Sequence, residues 1–208
     1  MLGGRRILLV AGPALWAVLV LFHPLPEGDP YAGVSPVVNR WLAVHVGQLI
    51  LTPLLVFAVW KLLDGLTSFA ATASRWGLIV WATFFSAYDS VQGIATGVLA
   101  QRANELAGDG RAGFAAAVDY LVEDSALAGN VSFLAVVAGA AWTICAIAGA
   151  VALHRAGAGR ATVAATSASI IFAAHTTPAA IGLVALVVGC VLRARQRAEG
   201  SAAAPSLS

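Results

Sequence analysis

Residues 76–100 read WGLIVWATFFSAYDSVQGIATGVLA and carry one charged side chain, that of Asp89. As an α-helix, this stretch of 25 residues would be about 37 Å long. The hydrocarbon core of a bilayer is about 30 Å thick. The stretch therefore predicts a membrane-spanning helix with a carboxyl group inside it.

The whole chain has the composition of an integral membrane protein. Its 208 residues are 60% hydrophobic and 11% charged, and the mean hydropathy is +0.85. A soluble domain carries about 25% charged residues. This difference excludes an ordinary soluble domain, a disordered chain and a nucleic-acid-binding protein. Two cysteines in 208 residues exclude a disulfide framework.

Three further apolar runs predict spans over residues 7–22, 41–63 and 131–153. The first run follows Arg5 and Arg6, as in a signal peptide, but ends in Phe22-His23-Pro24 without a small-residue cleavage pattern. We therefore expect the first run to be retained as a span.

The last apolar block, residues 161–192, is too long for a single simple span. One helix would be about 48 Å long, whereas a hairpin gives short spans over 161–174 and 178–192. With the hairpin, nine Lys and Arg residues lie on the side of the termini and three on the other; with one helix, the split is six to six. Since basic residues gather on the cytoplasmic side, the hairpin is favoured.

The predicted fold class is therefore an all-α, polytopic bundle of six transmembrane helices, with five as the alternative. Both termini are expected to be cytoplasmic. Residues 1–197 form a single domain with outer loops over 23–40 and 101–130, and residues 198–208 are expected to be a disordered tail. In the second loop, Phe114, Val118, Leu121 and Val122 have the spacing of a short amphipathic helix.

Polar residues form a stripe on each of the second and third predicted spans. Those of the third are Ser86, Asp89, Gln92, Gly93 and Thr96, and those of the second are His45, Gln48 and Thr52. Antiparallel packing of the two spans, with Trp41 level with Ala100, predicts contacts of Gln48 with Gln92, Thr52 with Asp89 and His45 with Thr96.

These stripes allow two interpretations. Hydrogen bonds between the two helices would stabilise the bundle by about 0.6–2 kcal/mol each. Asp89 is the hardest residue to explain in this way, because no Lys or Arg lies at its depth. We expect a protonated Asp89 that donates to Thr52 or Gln48. The sequence therefore predicts a ligand or proton site at Asp89, Gln48, Gln92, Thr52 and Ser86.

Three histidines provide an alternative site on the outer side. His23 ends the first span, His45 lies about one turn inside the second, and His175 lies at the hairpin turn. Three imidazoles can hold a metal ion, and two can ligate a b-type haem. No metal-binding spacing accompanies them, so the other interpretation is that His23 and His175 are solvated residues at the membrane surface.

Two functions follow from these sites. The first is binding or transport of a small ligand or proton, or an accessory role as a membrane subunit, through the stripes on the second and third spans. The alternative is a metal- or haem-dependent membrane redox enzyme. The sequence contains no nucleophile–base motif, phosphate loop or dinucleotide fingerprint. The expected partners are the lipid bilayer, a small ligand and another membrane protein.

Three segments carry a resemblance to a known group: Phe22-His23-Pro24, Trp41-Leu42-Ala43-Val44-His45 and His175-Thr176-Thr177-Pro178. With them, the chain resembles uncharacterised small polytopic membrane proteins of high-GC bacteria. The resemblance implies about six spans, an outer loop after the first, and a place in the bacterial cytoplasmic membrane. It implies no activity. The preference for arginine over lysine, 11 to one, is typical of such genomes.

Overall fold

The computed structural model describes residues 2–25, 28–173 and 177–203, and within these ranges the chain is all-α, without strands. The longer helices are α1 (Leu2–Leu21), α3 (Val38–Leu62), α4 (Phe69–Tyr88), α7 (Phe133–Arg155) and α9 (Thr177–Ala203). The shorter ones are α2 (Pro30–Val34), α5 (Thr96–Asn104), α6 (Gly108–Asp119) and α8 (Arg160–Ala168).

Among the described residues, three helical stretches are long and apolar enough to cross a membrane. They are Pro30–Leu62, Phe133–Arg155 and Pro178–Glu199, and Leu9–Leu21 and Arg160–Ala173 are shorter apolar helices. The predicted span 76–100 is not among the three, since polar side chains interrupt its apolar residues. Its helix also begins earlier than predicted, at Phe69, because Ser68 caps it by accepting from the Ala71 N–H at 3.3 Å.

Helices α4 and α7 pack closely along their length. A Cβ atom at Gly77 would lie 2.8 Å from the Ala141 carbonyl oxygen and 2.9 Å from the Cys145 backbone nitrogen. The Ser74 hydroxyl donates to the Cys145 carbonyl at 2.7 Å. Small residues let the two backbones approach, and the hydroxyl then joins them, as is common in membrane bundles. Helix α1 packs on the other side, between α3 and α9.

The last apolar block folds back on itself, as the hairpin predicts. Helix α8 continues into a 3-10 segment, Ser169–Ala173, and α9 packs against both. His175 lies outside the described residues. Helix α9 continues to Ala203, so the prediction of a disordered tail is wrong for residues 198–203. Residues 204–208 lie outside the described ranges.

The loop between α5 and α7 contains the predicted amphipathic helix, as α6 followed by a π-helical turn, Tyr120–Asp124. Val118 and Val122 are its buried residues. Asp119 accepts from the Tyr31 N–H at 2.9 Å and so joins α6 to α2. This layer closes the end of the bundle at which α1 ends and α3 begins.

Candidate functional site

A π-helical segment, Asp89–Ala95, lies between α4 and α5 and interrupts the regular helix. Its buried residues are Asp89, Gln92 and Gly93, and the segment packs against α3. π-Helical turns are rare and occur frequently at functional sites. The wider turn places the polar residues of the segment against the polar residues of α3.

Asp89 and His45 form the centre of this contact. The Nδ1 atom of His45 lies 2.6 Å from Oδ1 of Asp89, and both side chains are 1% exposed. The prediction of Thr52 or Gln48 as the partner of Asp89 is therefore wrong. Thr52 instead donates to the backbone carbonyl of Gln48 at 2.9 Å.

The register of the two spans differs from the predicted one by about two helical turns. The Trp41 indole donates to the Gly93 carbonyl at 2.7 Å, and this bond lies beside the His45–Asp89 bond. The ends of an apolar run do not determine which residues of two neighbouring helices lie level with each other. Here α3 begins at Val38 and α4 at Phe69, while the π-helical segment displaces the residues that follow it.

Gly93 allows His45 to reach Asp89. A Cβ atom at Gly93 would overlap Nδ1 and Cγ of the His45 ring, the atoms closest to the bond with Asp89. One turn further on, a Cβ at Gly97 would lie 2.8 Å from Cγ of Leu42. Gly93 and Gly97 therefore let this part of the chain approach α3 closely.

His23 lies beside the pair. Its ring centroid is 5.0 Å from that of His45 in an edge contact, and the centroids of His45 and Trp41 are 4.6 Å apart. The Nδ1–H of His23 donates to the Pro24 carbonyl at 2.7 Å. Burial and the nearby His45 ring lower the pKa of His23 to about 4, so this imidazole is neutral at pH 7.

His23 and His45, the two described members of the predicted histidine site, are not arranged as haem ligands. Axial ligation would place the imidazoles on opposite sides of a flat porphyrin, whereas the rings of His23 and His45 touch. Within residues 2–25, 28–173 and 177–203, no group of three His, Cys, Asp or Glu residues is arranged to hold a metal ion. The third histidine of the predicted metal site, His175, lies outside these ranges, so the metal site stays a prediction.

Several buried polar atoms at the site make no hydrogen bond to the part of the chain that the structure describes. They are Nε2 of His45, Oε1 of Gln48, Oδ2 of Asp89 and Oγ1 of Thr96. Most buried polar atoms in proteins have a partner, and their exceptions often mark functional sites. This cluster therefore has hydrogen-bonding capacity for a polar ligand or for proton exchange.

Two predicted site residues lie away from the pair. The Gln92 amide donates to Oδ1 of Asn130 at 3.1 Å and so connects the π-helical segment to the loop before α7, instead of contacting Gln48 as predicted. Ser86 is half-buried, and its backbone carbonyl accepts from the Ser90 hydroxyl at 2.7 Å. The structure brings Asp89 and His45 together and leaves Gln92 and Ser86 at the edge.

Sequence reasoning missed an aromatic cluster beside the site. It consists of Trp16, Trp81, Phe85, Trp142 and Phe172, all of which are buried. Trp142 is central, with ring centroids 5.0 Å from Trp81 and 4.8 Å from Phe172. Tryptophans of membrane proteins prefer the two interfaces. The placement of Trp16, Trp81 and Trp142 well inside their apolar runs was the overlooked signal.

The aromatic cluster forms one wall of a cavity of about 340 Å³, which His23 and Gln48 also line.

Comparisons with protein-family models, with curated proteins and with solved structures find no match to the chain. A carboxylate bonded to an imidazole can hold a proton, orient the ring and balance its charge when the ring is protonated.

Proposed function

We propose that the chain is a multi-spanning membrane protein that binds a proton or a small polar ligand at the Asp89–His45 pair. The observation that carries the proposal is the 2.6 Å contact between two ionisable side chains that are each 1% exposed. Ionisable residues inside a membrane are costly and typical of proton relays and ligand sites. A protein that transports a proton or a small polar ligand would bind it at such a site, and so would an accessory subunit of a membrane complex.

The geometry supports proton exchange through the imidazole. Nδ1 of His45 faces Asp89, while Nε2 makes no hydrogen bond to the described residues. A proton that arrives at Nε2 produces an imidazolium whose charge the Asp89 carboxylate balances. Imidazole exchanges protons at both nitrogens, so the pair can accept a proton at one atom and release it at another.

Infrared spectroscopy of the protein in lipid vesicles tests proton exchange without a known substrate. We expect carboxyl and imidazole bands to change as the pH is varied between about 4 and 9, because the pair changes its protonation. In Asp89→Asn the contribution of the Asp89 carboxyl group should disappear, while the bands of the other nine Asp and Glu residues remain. Asp64→Asn removes an exposed carboxylate, which lies 3.2 Å from Lys61, and is the matched control.

The proposal fails if the bands assigned to Asp89 and His45 stay constant across that range, because a site that exchanges no protons cannot relay them. It also fails if Asp64→Asn removes the same bands as Asp89→Asn. Loss of the Asp89 bands alone supports the proposed site.

We further propose six membrane crossings with both termini in the cytoplasm of a bacterial cell. Large apolar side chains are exposed on the outer faces of the longer helices, including Ile50, Trp76, Ile144 and Ile181. Lipid is the partner that such faces suit. The packing of α8 against α9 supports two crossings at the end of the chain. The nine basic residues on the side of the termini support the orientation.

Reporter fusions test this topology. Alkaline phosphatase fused after Ser208 is expected to be inactive and green fluorescent protein at the same position to be fluorescent, because the first needs export and the second needs the cytoplasm. A phosphatase fusion at Gly113, in α6, should be active. An active phosphatase at the C-terminus would contradict the six-crossing arrangement.

A further inference from the structure

The cavity beside the aromatic cluster has the size and shape of a ligand site. Its volume is about 340 Å³, and small-molecule sites in proteins range from about 300 to 1,000 Å³. One face of α7 lines the cavity. Its residues are Ala135, Ala138, Gly139 and Trp142, which have the spacing of one helix face. Gly139 lies on this face, and a Cβ there would meet no atom within 4 Å. The absence of a side chain at Gly139 therefore leaves space that belongs to the cavity.

The walls of the cavity suit an apolar ring. All five residues of the aromatic cluster line the cavity: Trp16, Trp81, Phe85, Trp142 and Phe172. The edges and faces of aromatic side chains stabilise another ring by about 0.5–1.5 kcal/mol per pair beyond the effect of burial. No Asp, Glu, Lys or Arg is present among the described lining residues, which favours an uncharged ligand.

The cavity also has polar lining residues. They are His23, Gln48, Tyr88 and Asn130. Gln48 is 3% exposed, and its Oε1 atom accepts no hydrogen bond from the described residues. A buried amide oxygen of this kind requires a donor. A ligand with a hydroxyl group would supply that donor to Gln48.

The other lining residues indicate where a ligand enters. Val131 and Val136 line the cavity and are 88% and 58% exposed. Val136 belongs to α7, one of the helices that can cross a membrane, so its exposed face contacts lipid in the proposed arrangement. The cavity therefore reaches the lipid-facing surface of the bundle, and its ligand comes from the membrane.

We propose that this cavity binds an uncharged, lipid-soluble, ring-containing molecule that carries a hydroxyl group at one end. The ring packs on the aromatic cluster, and the hydroxyl donates to Oε1 of Gln48. This inference goes beyond the proposed function, since it assigns a ligand class to a cavity that adjoins the Asp89–His45 pair and shares Gln48 with it, and binding there requires no proton exchange at Asp89.

Bromine quenching of tryptophan fluorescence in lipid nanodiscs tests the inference. The probes are 4-hexylphenol and hexylbenzene, each with one bromine on the ring. Trp16, Trp81 and Trp142 line the cavity, whereas Trp60 and Trp76 are 40% and 63% exposed and report the probe dissolved in lipid. We expect saturable quenching above this background, with the phenol binding about three- to tenfold more tightly than the hydrocarbon, as one hydrogen bond provides.

Three variants decide the result. Gly139→Leu fills the cavity and should weaken saturable quenching at least tenfold, while Ala140→Leu adds the same side chain on the exposed face of α7 and should leave it unchanged. Gln48→Leu should keep hydrocarbon binding and remove the preference for the phenol. Equal saturable quenching in Gly139→Leu and the parent would overturn the site. Equal affinity of the two probes in the parent would overturn the hydroxyl-bearing ligand class.

Discussion

Asp89→Leu is expected to reduce the free energy of unfolding by about 1–3 kcal/mol, because Nδ1 of His45 then loses its buried partner. Asp89→Asn should stay within about 1 kcal/mol of the parent, because the carboxamide oxygen still accepts from the Nδ1–H. The asparagine variant should therefore fold normally. It cannot exchange a proton at residue 89, so the pH-dependent infrared change of the Asp89 carboxyl group should be lost. Thermal unfolding in detergent measures the first effect and the infrared titration measures the second.

Ser90→Leu is the matched control for Asp89→Leu. Ser90 is the next residue and is exposed, so the same new side chain should change stability little. Asp89→Leu combined with His45→Leu should recover part of the lost stability, since neither partner is then left alone. If Asp89→Asn and Asp89→Leu destabilise the protein equally, the contact with His45 does not hold the two helices together in the way described here.

Gly93→Ala is expected to have the second large effect, a loss of about 2 kcal/mol. Alanine in place of glycine gains about 1 kcal/mol in helix propensity. The new Cβ, however, overlaps the ring of His45, which is 1% exposed and has little room to move. Overpacking of a tight core costs about 1–3 kcal/mol and often more when a rigid group is displaced. The loss of the His45–Asp89 bond adds to this cost.

Gly139→Ala tests whether the effect belongs to the contact with His45. A Cβ at Gly139 has open space, so this variant should be as stable as the parent or about 0.5–1 kcal/mol more stable. In a His45→Ala background, Gly93→Ala should lose most of its cost, because the ring it displaces is absent. A cost that persists in that background would mean that Gly93 serves the π-helical segment itself.

The helical class and the main apolar elements could be predicted from the sequence, because long apolar runs with few charges have few other solutions. The ends of the helices could not. Ser68 extends α4 toward the N-terminus and Ser132 caps α7 at Phe133, and such caps act outside the apolar periodicity. The charge distribution favours a division of residues 161–192 into two helices, and the structure has α8 and α9 packed together there.

Asp89 and His45 were each singled out from the sequence, but as members of different sites. Apolar runs give approximate depth, whereas pairing of side chains requires a register accurate to one residue. The π-helical segment begins at Asp89, so it affects only the register of the residues that follow this contact. The aromatic cluster was missed for a different reason. Its rings come from α1, α4, α7 and the 3-10 segment, so only the packed bundle brings them together.

Solid-state nuclear magnetic resonance in lipid bilayers measures the contact between His45 and Asp89. With ¹⁵N-labelled histidine and ¹³C-labelled aspartate carboxyl groups, the His45 Nδ1 resonance should show a dipolar coupling to the Asp89 carboxyl carbon, in keeping with the 2.6 Å distance between Nδ1 and Oδ1. The coupling should vanish in His45→Gln. A His45 resonance without coupling to Asp89 in the parent protein, at the chemical shift of a solvated imidazole, would contradict the account.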